Sequence, residues 1–148
     1  MKLFFTLITF VFLNNLQAQT DYNLKKGFVA EGYDVVSYFS NNATKGSDQF
    51  TTQFDGVKYK FSTEENLTVF KNNPEKYIPE YGGYCAYAVA VKGEKVAINP
   101  KSFQIIDDKL YLFYDKWGVD TLEKWNEEGG KKLQKQADLN WEKIEKEK

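Results

Sequence analysis

The segment Tyr81–Tyr87 contains the only cysteine of the 148-residue chain, Cys85, and the chain contains no histidine. Nucleophilic devices that use Ser or Cys with an imidazole base are therefore excluded. Zinc and copper sites draw several ligands from Cys and His, and one cysteine cannot supply them. The sequence thus predicts no metal site in a monomer. Cys85 is the candidate ligand if a metal is shared across a dimer.

Three fates are open to Cys85 itself. A lone cysteine is buried as a small apolar residue, pairs with another chain, or reacts as a thiol. If Gly82 and Gly83 precede a helix, the thiol lies in the first turn, where the helix dipole favours the thiolate. A thioredoxin-type motif is excluded because there is no second cysteine.

Tyrosine is abundant around this segment, with ten in the chain. A buried tyrosine needs a hydrogen-bond partner for its hydroxyl. Two interpretations are open: a packed core with hydroxyls at its edge, or a small polar-aromatic pocket. The tyrosines that would form this core or line this pocket are Tyr33, Tyr38, Tyr77, Tyr81, Tyr84 and Tyr87.

The remaining polar patterns indicate no cofactor. Asp107 and Asp108 lie on a predicted hairpin turn without calcium-loop spacing. The Gly82-Gly83 and Gly129-Gly130 pairs lack the lysine and the spacing of a phosphate loop. Acidic and basic residues are mixed, and the formal net charge is −1, so nucleic acid is not an expected partner.

The amino terminus predicts export. Lys2 precedes an almost wholly apolar run, residues 3–13, and Ala18 gives a small residue before a cleavage point near Gln19, the layout of a secretory signal peptide. Removal of the signal peptide leaves about 130 residues, which is the length of one domain. No transmembrane segment is expected after the signal peptide is removed. We expect a signal peptide over 1–18, a linker over 19–30 and one domain over 31–148, in a periplasmic or secreted protein.

Local patterns predict the elements that would position these residues. Asp34 is expected to cap a short helical turn that buries Val35, Tyr38 and Phe39. Asp55-Gly56 between two alternating segments predicts a type I′ hairpin. Ser62 with Glu65 predicts a capping box at the start of a helix that ends at Asn73-Pro74.

The second half predicts a short buried helix over 82–91, entered through a flexible glycine pair, and a short strand over 95–98 before a turn at Asn99-Pro100. A second hairpin follows over 103–114, and a helical tail over 119–147 is interrupted at Gly129-Gly130. Leu133, Ala137 and Trp141 share one face of that tail. Antiparallel hairpins with separate helices define an α+β fold class.

An ordered set of segments resembles the YHS domain family, in particular its exported branch, over about Gly32 to Trp141. The segments are Gly32–Phe39, Lys45-Gly46, Asp55–Phe61, Asn73–Tyr77, Tyr81–Tyr87, Leu110–Leu112 and Ala137–Trp141. The resemblance implies an exported α+β domain whose own motif includes Cys85.

Shorter members of that family are associated with heavy metals through cysteines near the Asp-Pro-Val segment and after the Tyr-x-Phe strand. Here Ser37, Ser62 and Asn66 stand at those places, and Val35 replaces the proline. We therefore expect a non-enzymatic module that binds a small ligand or a protein partner at the Gly82–Tyr87 segment. A Cys85 metal carrier or sensor is the alternative, followed by thiol redox chemistry.

The candidate ligand-binding residues are Cys85, Tyr84, Tyr87, Tyr33, Tyr81 and Gly83. No catalytic residue is predicted, and the oligomeric state is left open.

Overall fold

The computed structural model describes residues 20–147. The predicted signal peptide, residues 1–18, lies outside the described residues. Within the described residues, eight strands and five helices follow one another in separate runs, an α+β arrangement that confirms the predicted fold class. Within residues 20–147, none of the helices combines the length and the hydropathy that crossing a bilayer requires.

The strands are short. They are β1 (Leu24–Lys25), β2 (Phe28–Val29), β3 (Ser47–Phe54), β4 (Val57–Phe61), β5 (Asn99–Ile106), β6 (Lys109–Phe113), β7 (Asp115–Lys116) and β8 (Val119–Asp120). The helices are α1 (Glu64–Asn72), α2 (Pro74–Tyr77), α3 (Ala86–Lys92), α4 (Thr121–Glu128) and α5 (Gly130–Lys146). Short 3-10 turns cover Ala30–Gly32, Ser37–Ser40 and Glu80–Gly83.

The first sheet has the order β1-β2-β4-β3. Its β3–β4 hairpin turns at Asp55 and Gly56, whose φ angles of 49° and 77° are the left-handed values of a type I′ turn. The segment predicted as a linker differs from that expectation, because residues 24–29 supply β1 and β2 to the sheet edge. Val29 is fully buried, so apolar burial holds this segment on the domain.

The β5–β6 hairpin is the second predicted one, and it packs on both faces. Leu110 and Leu112 join the cluster over the first sheet, and Tyr111 and Phe113 join the cluster under the helices. Alternate side chains of a strand point to opposite faces, so a strand buried on both sides is apolar throughout. β6 therefore joins the two halves of the core.

Three local predictions need correction. Thr63, not Ser62, caps α1, because its Oγ1 accepts the amide of Asn66 at 3.1 Å. Residues 95–98 form no strand, and Asn99-Pro100 begins β5 instead of making a turn. The tail is helical and breaks at Gly129 as predicted, although β8 precedes it.

Leu133 and Ala137 are buried on one face of α5 with Trp141 partly buried beside them. This confirms the predicted apolar stripe, which packs the tail onto α3.

Candidate functional site

The glycine pair is a point of close packing. Tyr81, Gly82 and Gly83 have consecutive positive φ angles of 54°, 61° and 80°. A Cβ on Gly82 would overlap the carbonyl of Asp21, and the amide of Asn23 donates to the Gly82 carbonyl at 2.8 Å. The pair was predicted as a flexible entrance to a helix; the structure instead seats the amino-terminal segment on it.

Cys85 is fully buried and occupies the N-cap position of α3. The prediction placed it in the first turn of the helix, so the observed position is one residue earlier. Its Sγ accepts the amide of Tyr114 at 3.3 Å and lies 3.3 Å from Thr121 Oγ1. The Thr121 hydroxyl gives its proton to the Tyr114 carbonyl at 2.6 Å. The thiol must therefore donate to Thr121, because a hydroxyl has one proton. Both capacities of the thiol are used inside the fold.

The predicted tyrosines bond to different carboxylates. Tyr81 is buried and its hydroxyl donates to Asp138 at 2.8 Å; burial, with Asp138, raises its pKa. Tyr84 is half-buried and donates to Asp21 at 3.1 Å. Burial, assisted by that carboxylate, raises the pKa of Tyr84 to about 12.

Two further tyrosines lie apart from these. The Tyr87 hydroxyl donates to Glu128 at 2.7 Å, and this hydrogen bond raises the Tyr87 pKa. Tyr33 is buried in the cluster over the first sheet, where its backbone forms a β-bridge with Lys45. The predicted site residues therefore do not converge on one pocket.

A cavity of about 310 Å³ lies beside Cys85, and we call it the Cys85 cavity. Its lining is Cys85, Tyr87, Ala88, Val91, Lys92, Val96, Tyr114, Val119, Thr121 and Lys124. The walls are mainly apolar, and Val91 and Val119 are 42% and 40% exposed. Lys92 and Lys124 are exposed members of the lining. The cavity thus combines an apolar interior with two cations.

A larger cavity of about 730 Å³ includes Tyr81 and Gly82. It has the aromatic residues Tyr22, Phe54, Tyr81 and Trp141 and the acidic residues Asp55, Glu75, Glu80, Asp138, Glu142 and Glu145. Burial raises the pKa of Glu80, with Asp138 adding to the effect and Lys109 opposing it. The carboxylates of this cavity lie close together, and each negative charge makes it harder to ionise the next carboxyl group.

Ser37, Ser62 and Asn66 meet around the buried carboxylate of Asp34. Its Oδ1 accepts the amides of Val36 and Ser37 at 3.0 and 3.3 Å. Its Oδ2 accepts the Ser62 amide at 2.8 Å, the Ser62 hydroxyl at 2.6 Å and the Asn66 side chain at 2.7 Å. Asp34 therefore caps the predicted turn and also ties it to the start of α1.

Sequence reasoning gave Asp34 only the capping role. The signal for the rest is a carboxylate inside an otherwise apolar run, since such a group must be surrounded by donors when it is buried. Within residues 20–147, no group of three or more His, Cys, Asp or Glu side chains is placed to hold a metal ion.

The lysines and valines of the Cys85 cavity were also missed. They come from α3, the loop that follows it, β8 and α4, and no local pattern connects these segments. Comparison of the chain with protein-family models, with curated proteins and with solved structures found no match.

Proposed function

We propose that the protein is an exported, non-enzymatic binding module of the YHS type that holds a small apolar ligand with an anionic end in the Cys85 cavity. The observation that carries the proposal is the cavity itself, mainly apolar and about 310 Å³ in volume. Ligand sites are typically concave, mostly apolar and supplied with a few polar groups. This volume is near the lower end of their range, which favours a small ligand.

The apolar walls supply the binding energy. Ala88, Val91, Val96 and Val119 present aliphatic side chains to the cavity, and two of them are unusually exposed for valine. Covering such surface is worth roughly 25 cal/mol per Å². An apolar ligand body would remove this surface from water.

The two lysines define the other end of the ligand. Lys92 and Lys124 form no salt bridge with any residue of the described part of the chain. An exposed lysine keeps its ammonium in water while its stem covers apolar surface. An anionic group at the cavity mouth would meet two cations there without being buried.

The polar groups at the floor support binding over reaction. Cys85 and Thr121 bond to each other and to the backbone of Tyr114. A metal carrier or a thiol redox protein would have to open this part of the fold to expose Sγ. Among residues 20–147, no contact favours either alternative.

Octanoate and octylammonium form a matched pair of probes, with one alkyl chain and opposite charges. Isothermal titration calorimetry of the full-length protein should show saturable octanoate binding, about tenfold tighter than octylammonium binding. The double variant Lys92→Glu/Lys124→Glu should abolish that preference. The control Lys131→Glu/Lys135→Glu changes the net charge equally at two exposed α5 lysines outside the lining of the cavity and should retain it.

A second variant tests the apolar interior. Ala88→Leu fills the cavity and should weaken both probes, with folding checked by circular dichroism. If octanoate does not saturate, or binds Ala88→Leu as it binds the parent protein, the proposal is wrong. Because the lysine variants alter only exposed side chains, they keep the test decisive if Ala88→Leu does not fold.

A further inference from the structure

A second cavity, about 610 Å³ in volume, concentrates positive charge, and we call it the lysine groove. Its lining is Lys25, Lys26, Phe28, Glu31, Gly32, Tyr33, Lys45, Gly46, Lys60, Ile98, Asn99, Pro100 and Lys116. Five lysines and one glutamate give this lining a formal charge of +4, in a chain whose formal net charge is −1. Such segregation in a concave site focuses a positive potential.

Four separate segments bring the lysines together. Lys25 and Lys26 stand at the β1–β2 turn, where Lys26 and Gly27 have φ angles of 52° and 82°. Lys45 is placed by its β-bridge to Tyr33. Lys60 lies on β4 and Lys116 on β7. The groove is thus a product of the tertiary fold.

Two of the five ammonium groups have partners. Lys60 pairs with Asp48 at 2.5 Å and lies 4.3 Å from the centre of the Phe28 ring. Lys25 pairs with Glu31 at 3.3 Å.

The other three lysines, Lys26, Lys45 and Lys116, form no salt bridge within residues 20–147. They share one groove as like charges, and like charges repel. An anion in the groove would relieve that repulsion.

The wall beside Lys60 is closely packed. The amide of Gly46 donates to the Gly32 carbonyl at 2.9 Å, and a Cβ on Gly46 would overlap the backbone of Lys60. Gly32 has a φ of 81°, which suits glycine. The backbone of this wall is therefore fixed in the folded chain, so binding would order the exposed lysine side chains but little of the backbone beside Lys60.

We propose that the lysine groove is a binding site for a small multivalent oxyanion, separate from the Cys85 cavity. Three lysines without a carboxylate partner match a ligand with about three negative charges. Lysine ammonium groups act as point charges, so the groove recognises charge number and spacing. A phosphate chain or a tricarboxylate has the required chemistry.

Titration calorimetry with inorganic tripolyphosphate, pyrophosphate and orthophosphate tests the site in the full-length protein. Tripolyphosphate should bind most tightly and orthophosphate most weakly, and added salt should weaken all three. Lys45→Glu/Lys116→Glu should lower the tripolyphosphate affinity by about tenfold or more. Lys131→Glu/Lys135→Glu, with the same change of net charge, should lower it by less than about threefold.

Citrate distinguishes the two sources of negative charge. Binding of citrate as tight as that of tripolyphosphate would assign the groove to tricarboxylates, and weaker binding would assign it to phosphates. No saturable binding of either probe at about 150 mM salt, or an equal loss in the control variant, would overturn the proposal. Octanoate binding by Lys45→Glu/Lys116→Glu should be unchanged, so this test is separate from that of the Cys85 cavity.

Discussion

Replacing Asp34 with alanine tests the hydrogen-bonded centre that ties the Ser37–Ser40 turn to α1. The side chain is fully buried, and its two oxygens accept from Val36, Ser37, Ser62 and Asn66. Alanine removes both acceptors and leaves the donors in place. A donor that stays buried without an acceptor costs about 1–3 kcal/mol.

The donors are not equally affected. The Ser37 amide keeps a bond to the Asp34 carbonyl at 3.1 Å, and the half-buried side chains of Ser62 and Asn66 can turn to water. The Val36 and Ser62 amides are fixed by the backbone. Two such losses give about 3–4 kcal/mol of lost stability. For a domain of this size that lowers Tm by about 10 °C.

Thermal and urea unfolding, followed by circular dichroism, measure this loss. Asp34→Asn keeps the shape but replaces one acceptor with a donor, which opposes a donor in either orientation of the amide. It should therefore destabilise the fold by about 2 kcal/mol or more. Asp48→Ala removes an exposed aspartate as the control and should unfold close to the parent protein. Parent-like stability of Asp34→Asn would refute the reasoning.

Three further predictions concern Gly82, Cys85 and Glu80. Gly82→Ala should cost about 1–3 kcal/mol more than Gly118→Ala in urea unfolding, because both positions have positive φ but only Gly82 lacks space for a Cβ; equal losses would contradict this. Cys85 should react with a thiol reagent only in denaturant, since it is fully buried; stoichiometric labelling of the folded protein would show otherwise. Glu80→Gln should raise the unfolding midpoint at pH 7. Burial raises the Glu80 pKa above its ordinary 4.5, so ionised Glu80 destabilises the fold and the gain should vanish below that pH; a gain that persists at lower pH would rule out this cause.

The two hairpins were predictable because their signals are local. Asp55 and Gly56 adopt the left-handed φ angles that the dipeptide favours, and Asp107 and Asp108 do the same at the second turn. The alternating side chains fix the register on either side. No distant residue is needed to choose these turns.

The errors arose where distant residues compete for a local group. The Ser62 hydroxyl donates to the carboxylate of Asp34, 28 positions earlier. Thr63 therefore caps α1 in its place. The Val96 carbonyl accepts a hydrogen bond from the Cys85 amide at 3.0 Å. Residues 95–98 nevertheless belong to none of the three sheets. Apolar alternation alone does not supply a neighbouring strand.

The tyrosines and Cys85 were grouped because they are close in sequence. Successive residues of a helix point about 100° apart, so neighbours in and around α3 face different surroundings. Cys85 and Ala88, three positions apart, line one cavity, whereas Tyr81 lines another. Tyr33 lies at the lysine groove. Sequence proximity therefore identified part of the Cys85 cavity and none of its cations.

A polar group is available to a ligand only when the fold has left its bonding capacity unused. Cys85 fails this condition, because its proton and its lone pair are both engaged, and the Asp34 carboxylate fails it as well. Lys45 and Lys116 meet it, since no salt bridge holds either one within residues 20–147. The groups most conspicuous for chemistry in the sequence thus stabilise the structure. In both proposed sites, binding depends on lysines whose common location arises only on folding.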